Sequence, residues 1–194
     1  MNRMTLWAFL PLFLLTACRP KESGPKSATP PMAIDSVTGA PIDQPNPWKN
    51  AGCDLVTDDE VRALFQIDVK RDAYNARTLP DRGFCLRSWM KPDWKERENN
   101  PNLEFKNTLV TQVLDYGSDF VSRQQFEILR RDQPHIYEEI VQGIGDGAVW
   151  STSQTSLMVK KGHLVLKITL DHTDKPHDNL EMAKEVAKLA LKKM

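Results

Sequence analysis

The chain has 194 residues and carries 26 basic against 26 acidic side chains. That balance supplies no basic footprint for nucleic acid, and no nucleic-acid partner is expected. There are three cysteines, and residues 47–194 are long enough to bury one sizeable core.

Residues 1–17 have the three parts of a secretory signal. Arg3 gives the positive start, Leu6–Leu15 the apolar segment, and Thr16 and Ala17 the small residues that close it. The apolar run is about a dozen residues, against the ~20 that a bilayer-spanning helix needs. Pro11 lies inside it, where a spanning helix tolerates proline poorly. At its end, Leu15-Thr16-Ala17-Cys18 resembles the lipobox of bacterial lipoproteins. The resemblance implies that Cys18 is lipidated, with acyl chains of the palmitate kind, and becomes the mature first residue. Two or three chains on one residue anchor a protein where a single chain binds only marginally. Arg19 stands where an aspartate would imply retention at the inner membrane. The expected address is therefore the periplasmic face of the outer membrane, if the host has one.

Residues 18–46 hold Pro20, Pro25, Pro30, Pro31, Pro41 and Pro45. So proline-rich a stretch cannot bury enough apolar surface to offset ordering, and it reads as an extended tether. A short contact near Met32–Ile34 is the one exception expected. Loss of residues 1–17 removes Arg3 and no acid, leaving 25 basic and 26 acidic side chains, a net charge of −1.

With Cys18 committed to lipid, Cys53 and Cys85 remain as an even pair in an oxidising compartment. A bridge between them would be worth roughly 3–4 kcal/mol by loop closure, and a pair of buried thiols is the rival reading.

In the domain, Thr57 and Glu60 form a capping box for a helix over 58–66, with Val56 and Val61 as its hydrophobic staple. Capping accounts for Asp58, Asp59 and Glu60 without a metal. Residues 67–83 read as strand or loop, ending in the turn Leu79–Gly83. Phe84–Met90 reads as a strand with Cys85, Arg87 and Trp89 on one face. Lys91–Asn102 reads as a solvated loop in which Trp94 alone packs. Leu103–Leu114 is strand-like.

Ser118–Arg131 is the second expected helix, with Phe120, Val121, Phe126, Ile128 and Leu129 as its buried side. Tyr137–Gln142 reads as a short strand. Gly143-Ile144-Gly145-Asp146-Gly147 does not complete G-x-G-x-x-G, because Ala148 holds the last position and strand sequence follows. It reads as a tight turn requiring positive φ. Ser156–Lys160 and His163–Leu170 form a hairpin about Lys161-Gly162. Asp178 caps a last helix whose stripe is Leu180, Ala183, Val186, Ala187, Ala190 and Leu191. The order predicts a single α+β domain: an antiparallel sheet covered on one face by about three helices.

Cys53-Asp54-Leu55-Val56-Thr57 with Glu60-Val61, and the later Gly143–Trp150, resemble a family of small secreted lipoprotein domains common in actinobacteria and without an assigned function. Members pair a C-x-L-L-T-x-x-E-V helix start with a G-L-G-D-x-A turn, and Val56 replaces the usual leucine. The resemblance spans about 50–170. It implies this fold and a Cys53–Cys85 bridge, and brings no catalytic residues.

Candidate chemistry is thin. His172, Asp174 and His177, beside Asp178, have spacing that could hold zinc or copper, but no partner ligand is fixed elsewhere. No cofactor is expected. His135 and His163 read as exposed. Ser151, Ser153 and Ser156 read as outward positions, and the G-x-S-x-G elbow is lacking. Trp89, Trp94 and Trp150 are candidate interaction residues, with core burial the competing reading for Trp89 and Trp150. The expected function is a non-enzymatic, membrane-tethered binding domain whose partner is an envelope protein, peptidoglycan or a small apolar ligand. The alternative is an envelope hydrolase whose site is assembled only in three dimensions.

Overall fold

The computed structural model describes residues 46–79, 82–100 and 103–194. The expected signal segment, Cys18, the tether as far as Pro45, and Pro80-Asp81 of the expected turn lie outside the described residues. Among the described residues no helix is long and apolar enough to cross a membrane.

Alternating apolar sequence produces strands β1 (Asn75–Leu79), β2 (Phe84–Met90), β3 (Lys106–Asp115), β4 (Glu139–Val141), β5 (Gly147–Ser151), β6 (Ser156–Lys161) and β7 (Leu164–Asp171). They form one antiparallel sheet in the order β1-β2-β3-β7-β6-β5-β4. The first three strands are a meander. The last four are a second meander, joined to the first by pairing of β3 with β7. The expected hairpin is present, with Lys161 opposite Leu164 across a turn at Gly162-His163.

The helices are α1 (Gly52–Leu55), α2 (Asp58–Phe65), α3 (Trp94–Glu98), α4 (Asp119–Asp132) and α5 (Pro176–Leu191). The capping box of α2 is complete: Glu60 N–H donates to Thr57 Oγ1, and Thr57 N–H donates to Glu60 Oε2 at 2.7 Å. Val56 and Val61 are both fully buried beside it.

Strand alternation explains the layering. Leu157, Val159, Leu166, Ile168 and Leu170 point to one face and pack with Val61 and Phe65 of α2 and with the Ala183–Ala190 stripe of α5. Val149, Met158 and Val165 point to the other and pack with Phe126 of α4. The antiparallel α+β architecture is as expected, but α4 lies on the second face. Strands β5–β7 are apolar on both sides and need two covers, whereas β2 and β3 present Ser88, Thr108 and Gln112 on that second face.

Cys53 and Cys85 are joined as a disulfide, their Cα atoms 4.9 Å apart. It ties α1 to the inner face of β2. Close packing accompanies it: a Cβ on Gly52 would come within 2.7 Å of the Gly83 and Phe84 backbone.

Four expectations are corrected. The loop after β2 contains α3, and Lys91 within it is only 4% exposed. On α4, Phe120 and Ile128 are exposed while Ser122 is buried, because Ser122 Oγ donates to Gly162 O at 2.7 Å and fixes which side meets the sheet. Helix α5 starts before Asp178, with Pro176 in its first turn, a position where proline's missing N–H is harmless. Ser151 and Ser156 are fully buried rather than outward, bonded to Gln154 N–H and Thr169 Oγ1.

Candidate functional site

Register brings three distant segments together at one end of the sheet. Trp89 on β2 pairs with Asn107 on β3, and Thr108 pairs with Asp171 on β7. His172, one residue past β7, therefore lies beside Asn107. With its amide oriented to satisfy both neighbours, Asn107 donates to His172 O at 2.9 Å and accepts from Trp89 Nε1 at 2.8 Å. Asn107 is 1% exposed, so this amide is a buried strut.

Phe65, at the end of α2, closes an aromatic cluster over the strut. Its ring centroid lies 5.0 Å from that of Trp89, tilted, and 5.0 Å from that of His172, edge-on. Trp89 and His172 are 5.9 Å apart. These separations suit edge-on aromatic packing. The helix stops there because Gln66 adopts the left-handed conformation, φ 55°.

A cavity of about 460 Å³ opens beside the cluster. Phe65, Trp89 and His172 form its aromatic side, and Trp94 and Pro92 its outer rim. Lys91, Arg71 and Asp72 supply the charges. Each charge is met by its opposite. Lys91 Nζ lies 3.2 Å from Asp171 and 3.7 Å from Asp174. Arg97 grips both Asp174 oxygens, at 3.2 and 2.8 Å, and also bonds Asp93. Arg71 pairs both oxygens of Asp72 at 2.6 and 2.8 Å.

The electrostatics follow from those pairs. Arg97's guanidinium holds the Asp174 carboxyl below its ordinary range, and Arg71 does the same for Asp72. Burial, with the charge of Lys91 second, holds the His172 imidazole below its ordinary 6.5. The shift favours the uncharged imidazole. Its Nδ1 is buried and has no hydrogen-bond partner among the described residues.

The other sequence-predicted residues fall elsewhere. Trp150 is 1% exposed in the main core and Trp89 is 3% exposed, so neither is a free contact surface; Trp94 is partly exposed at the cavity rim. His172 and Asp174 share the loop before α5, but Asp174 is taken by Arg97 and Lys91, and His177 is exposed in the first turn of α5. Among the described residues no three His, Cys, Asp or Glu side chains converge to hold a metal ion. His135 is exposed, whereas the His163 side chain is 12% exposed near Asp115.

The Gly143–Gly147 segment is a turn, with Gly143 and Gly145 at φ 77° and 60°. Asp146 accepts from Gly162 N–H at 2.7 Å, and Asp146 N–H donates to Lys160 O at 2.8 Å. Lys160, 5% exposed, extends between Asp119 at 2.5 Å and Asp146 at 3.5 Å. The motif is an internal brace that fastens α4 and the β4–β5 turn to the hairpin.

Sequence reasoning missed Phe65, Arg71, Asp72, Lys91 and Asn107 as cavity residues. One signal existed: Lys91 continues the inward alternation of Cys85, Arg87 and Trp89. No family model, no curated protein and no solved structure matches the chain.

Proposed function

We propose that this protein is a lipid-anchored lipoprotein of the bacterial cell envelope whose folded part is a non-enzymatic binding domain. Lipid on Cys18 would hold it at the membrane, at the periplasmic face of the outer membrane in a double-membraned host. The proline-rich tether would carry the domain clear of the surface, toward an envelope protein or peptidoglycan. The observation that carries the binding role is the cavity at the end of β2, lined by Phe65, Trp89, Trp94 and His172, whose charges are already opposed in ion pairs. Such a concave, aromatic-lined pocket with a few fixed polar groups suits recognition.

Fractionation of cells expressing the wild type and Cys18→Ser tests the anchor. The wild type is expected in the membrane fraction and the variant as soluble or unprocessed protein. A correctly cleaved variant that still sediments with membranes contradicts the reading.

One observation favours the hydrolase alternative. His172 lines the same cavity, and burial favours its uncharged form, the form a general base needs. If that reading holds, an envelope extract hydrolysed by the wild type is left intact by His172→Ala.

A further inference from the structure

We propose that the cavity beside Trp94 is a binding site for a neutral sugar ring, such as one unit of an envelope glycan. The inference rests on the binding-domain reading above and names its ligand class.

Three features of the cavity select that chemistry. The first is shape. A volume of about 460 Å³ lies at the small end of ligand sites, which run from about 300 to 1,000 Å³. The partly exposed Trp94 indole borders it, with Lys95 Nζ over that ring at 5.7 Å from the centroid, and Phe65 and His172 line it further. A pyranose has a flat face of C–H groups that packs on an indole and hydroxyls around its rim.

The second is charge. Of the charges that line it, Lys91 is opposed by Asp171 and Asp174, and Arg71 by Asp72. A charged ligand must break into these pairs and desolvate itself against both signs. A hydroxyl can accept from an ammonium and donate to a carboxylate at once, leaving the pair intact.

The third is unused hydrogen-bonding capacity. Lys91 is 4% exposed, and its ammonium has three N–H donors; the Asp171 bond at 3.2 Å and the longer Asp174 contact at 3.7 Å leave at least one unassigned. A buried donor left unpaired is costly, and a sugar hydroxyl can accept from it.

The test is titration of the full-length protein, held in a detergent without a sugar headgroup, with N-acetylglucosamine and short chito-oligosaccharides. Benzoate and benzylamine serve as charged probes. Indole emission and calorimetry report binding. Saturable sugar binding is expected, weakened about tenfold, or about 1.4 kcal/mol, by Trp94→Ala. Lys91→Met is expected to weaken it similarly. Phe120→Ala, on the exposed side of α4, should bind as the wild type. Affinity independent of chain length assigns a single free sugar, and affinity rising with length assigns a glycan polymer. No saturation by any sugar, preference for a charged probe, or wild-type affinity in Trp94→Ala overturns the proposal. Should sugars fail while lipid-dependent crosslinking in envelopes still captures a partner, the binding-domain reading survives and the ligand assignment falls.

Discussion

Arg87 Nε donates to Asp58 Oδ1 at 2.9 Å from a side chain that is wholly buried. The same guanidinium donates through Nη2 to Cys53 O at 2.9 Å and to Val56 O, and Tyr74 Oη donates to Asp58 at 2.9 Å. One residue of β2 thus clamps α1, the α1–α2 junction and the start of α2 against the sheet. Arg87→Ala takes this donor from the buried Val56 carbonyl and the part-buried Cys53 carbonyl and opens a cavity, and is expected to cost about 3–5 kcal/mol. Asp58→Asn is expected to cost less, about 1–2 kcal/mol, because the Asp58 side chain is 45% exposed and water can replace part of its charge. Urea denaturation of both variants checks this, and equal losses would contradict the clamp.

The disulfide lies two residues from Arg87 and spans a sequence separation of 32. A loop of that size is worth about 3–4 kcal/mol on the chain-entropy model. The double variant Cys53→Ala with Cys85→Ala should fall in stability by that amount. Since Cys85 is fully buried, mild reductant should leave native protein bridged. Thiol alkylation of native, unreduced protein that labels both cysteines would contradict it.

Two glycines of one turn should behave differently. At Gly145, φ is +60° and an added Cβ would come within 2.4 Å of Lys160 O and 2.6 Å of Val159 Cγ1. At Gly143, φ is +77° and nothing lies within 4 Å. Gly143→Ala therefore carries only left-handed backbone strain, about 1–2 kcal/mol. Gly145→Ala adds a backbone clash and should cost at least about 3 kcal/mol. Thermal unfolding of the two variants ranks them.

Much of this fold was legible because local signals agreed with tertiary need. The Thr57–Glu60 capping box and the Ser156–Leu170 hairpin each carry a short-range pattern that the packed structure reinforces. The buried side of α4 was not legible: Phe120 is 58% exposed because the contacts that orient the helix, Ser122 to Gly162 O, Asp119 to Lys160 and Phe126 on the sheet, are long-range. Lys91 was misread as solvated for a similar reason. Its burial depends on Asp171 and Asp174, about eighty residues away, which no local pattern connects to it. The cavity is built from long-range register, β2 to β3 to β7, and only the sheet reveals it.

His172 gives a pH signature. Its folded-state affinity for protons is lowered from the ordinary 6.5, chiefly by burial. Above about pH 6.5 both states are neutral and the native interaction is complete. As pH falls below that value the unfolded chain takes the proton first, so stability declines until the folded-state value is passed. His172→Gln should flatten the loss between neutral and mildly acidic pH. Urea midpoints that fall equally in both proteins over that window would contradict it.

The envelope assignment depends on what is attached to residue 18. Metabolic labelling with an alkyne fatty acid, followed by mass spectrometry of the mature N-terminal peptide, reads this directly. The account predicts a peptide that begins at Cys18 and carries acyl chains, absent from Cys18→Ser. An unlabelled wild type, or a mature protein that begins elsewhere with an unmodified Cys18, would contradict it.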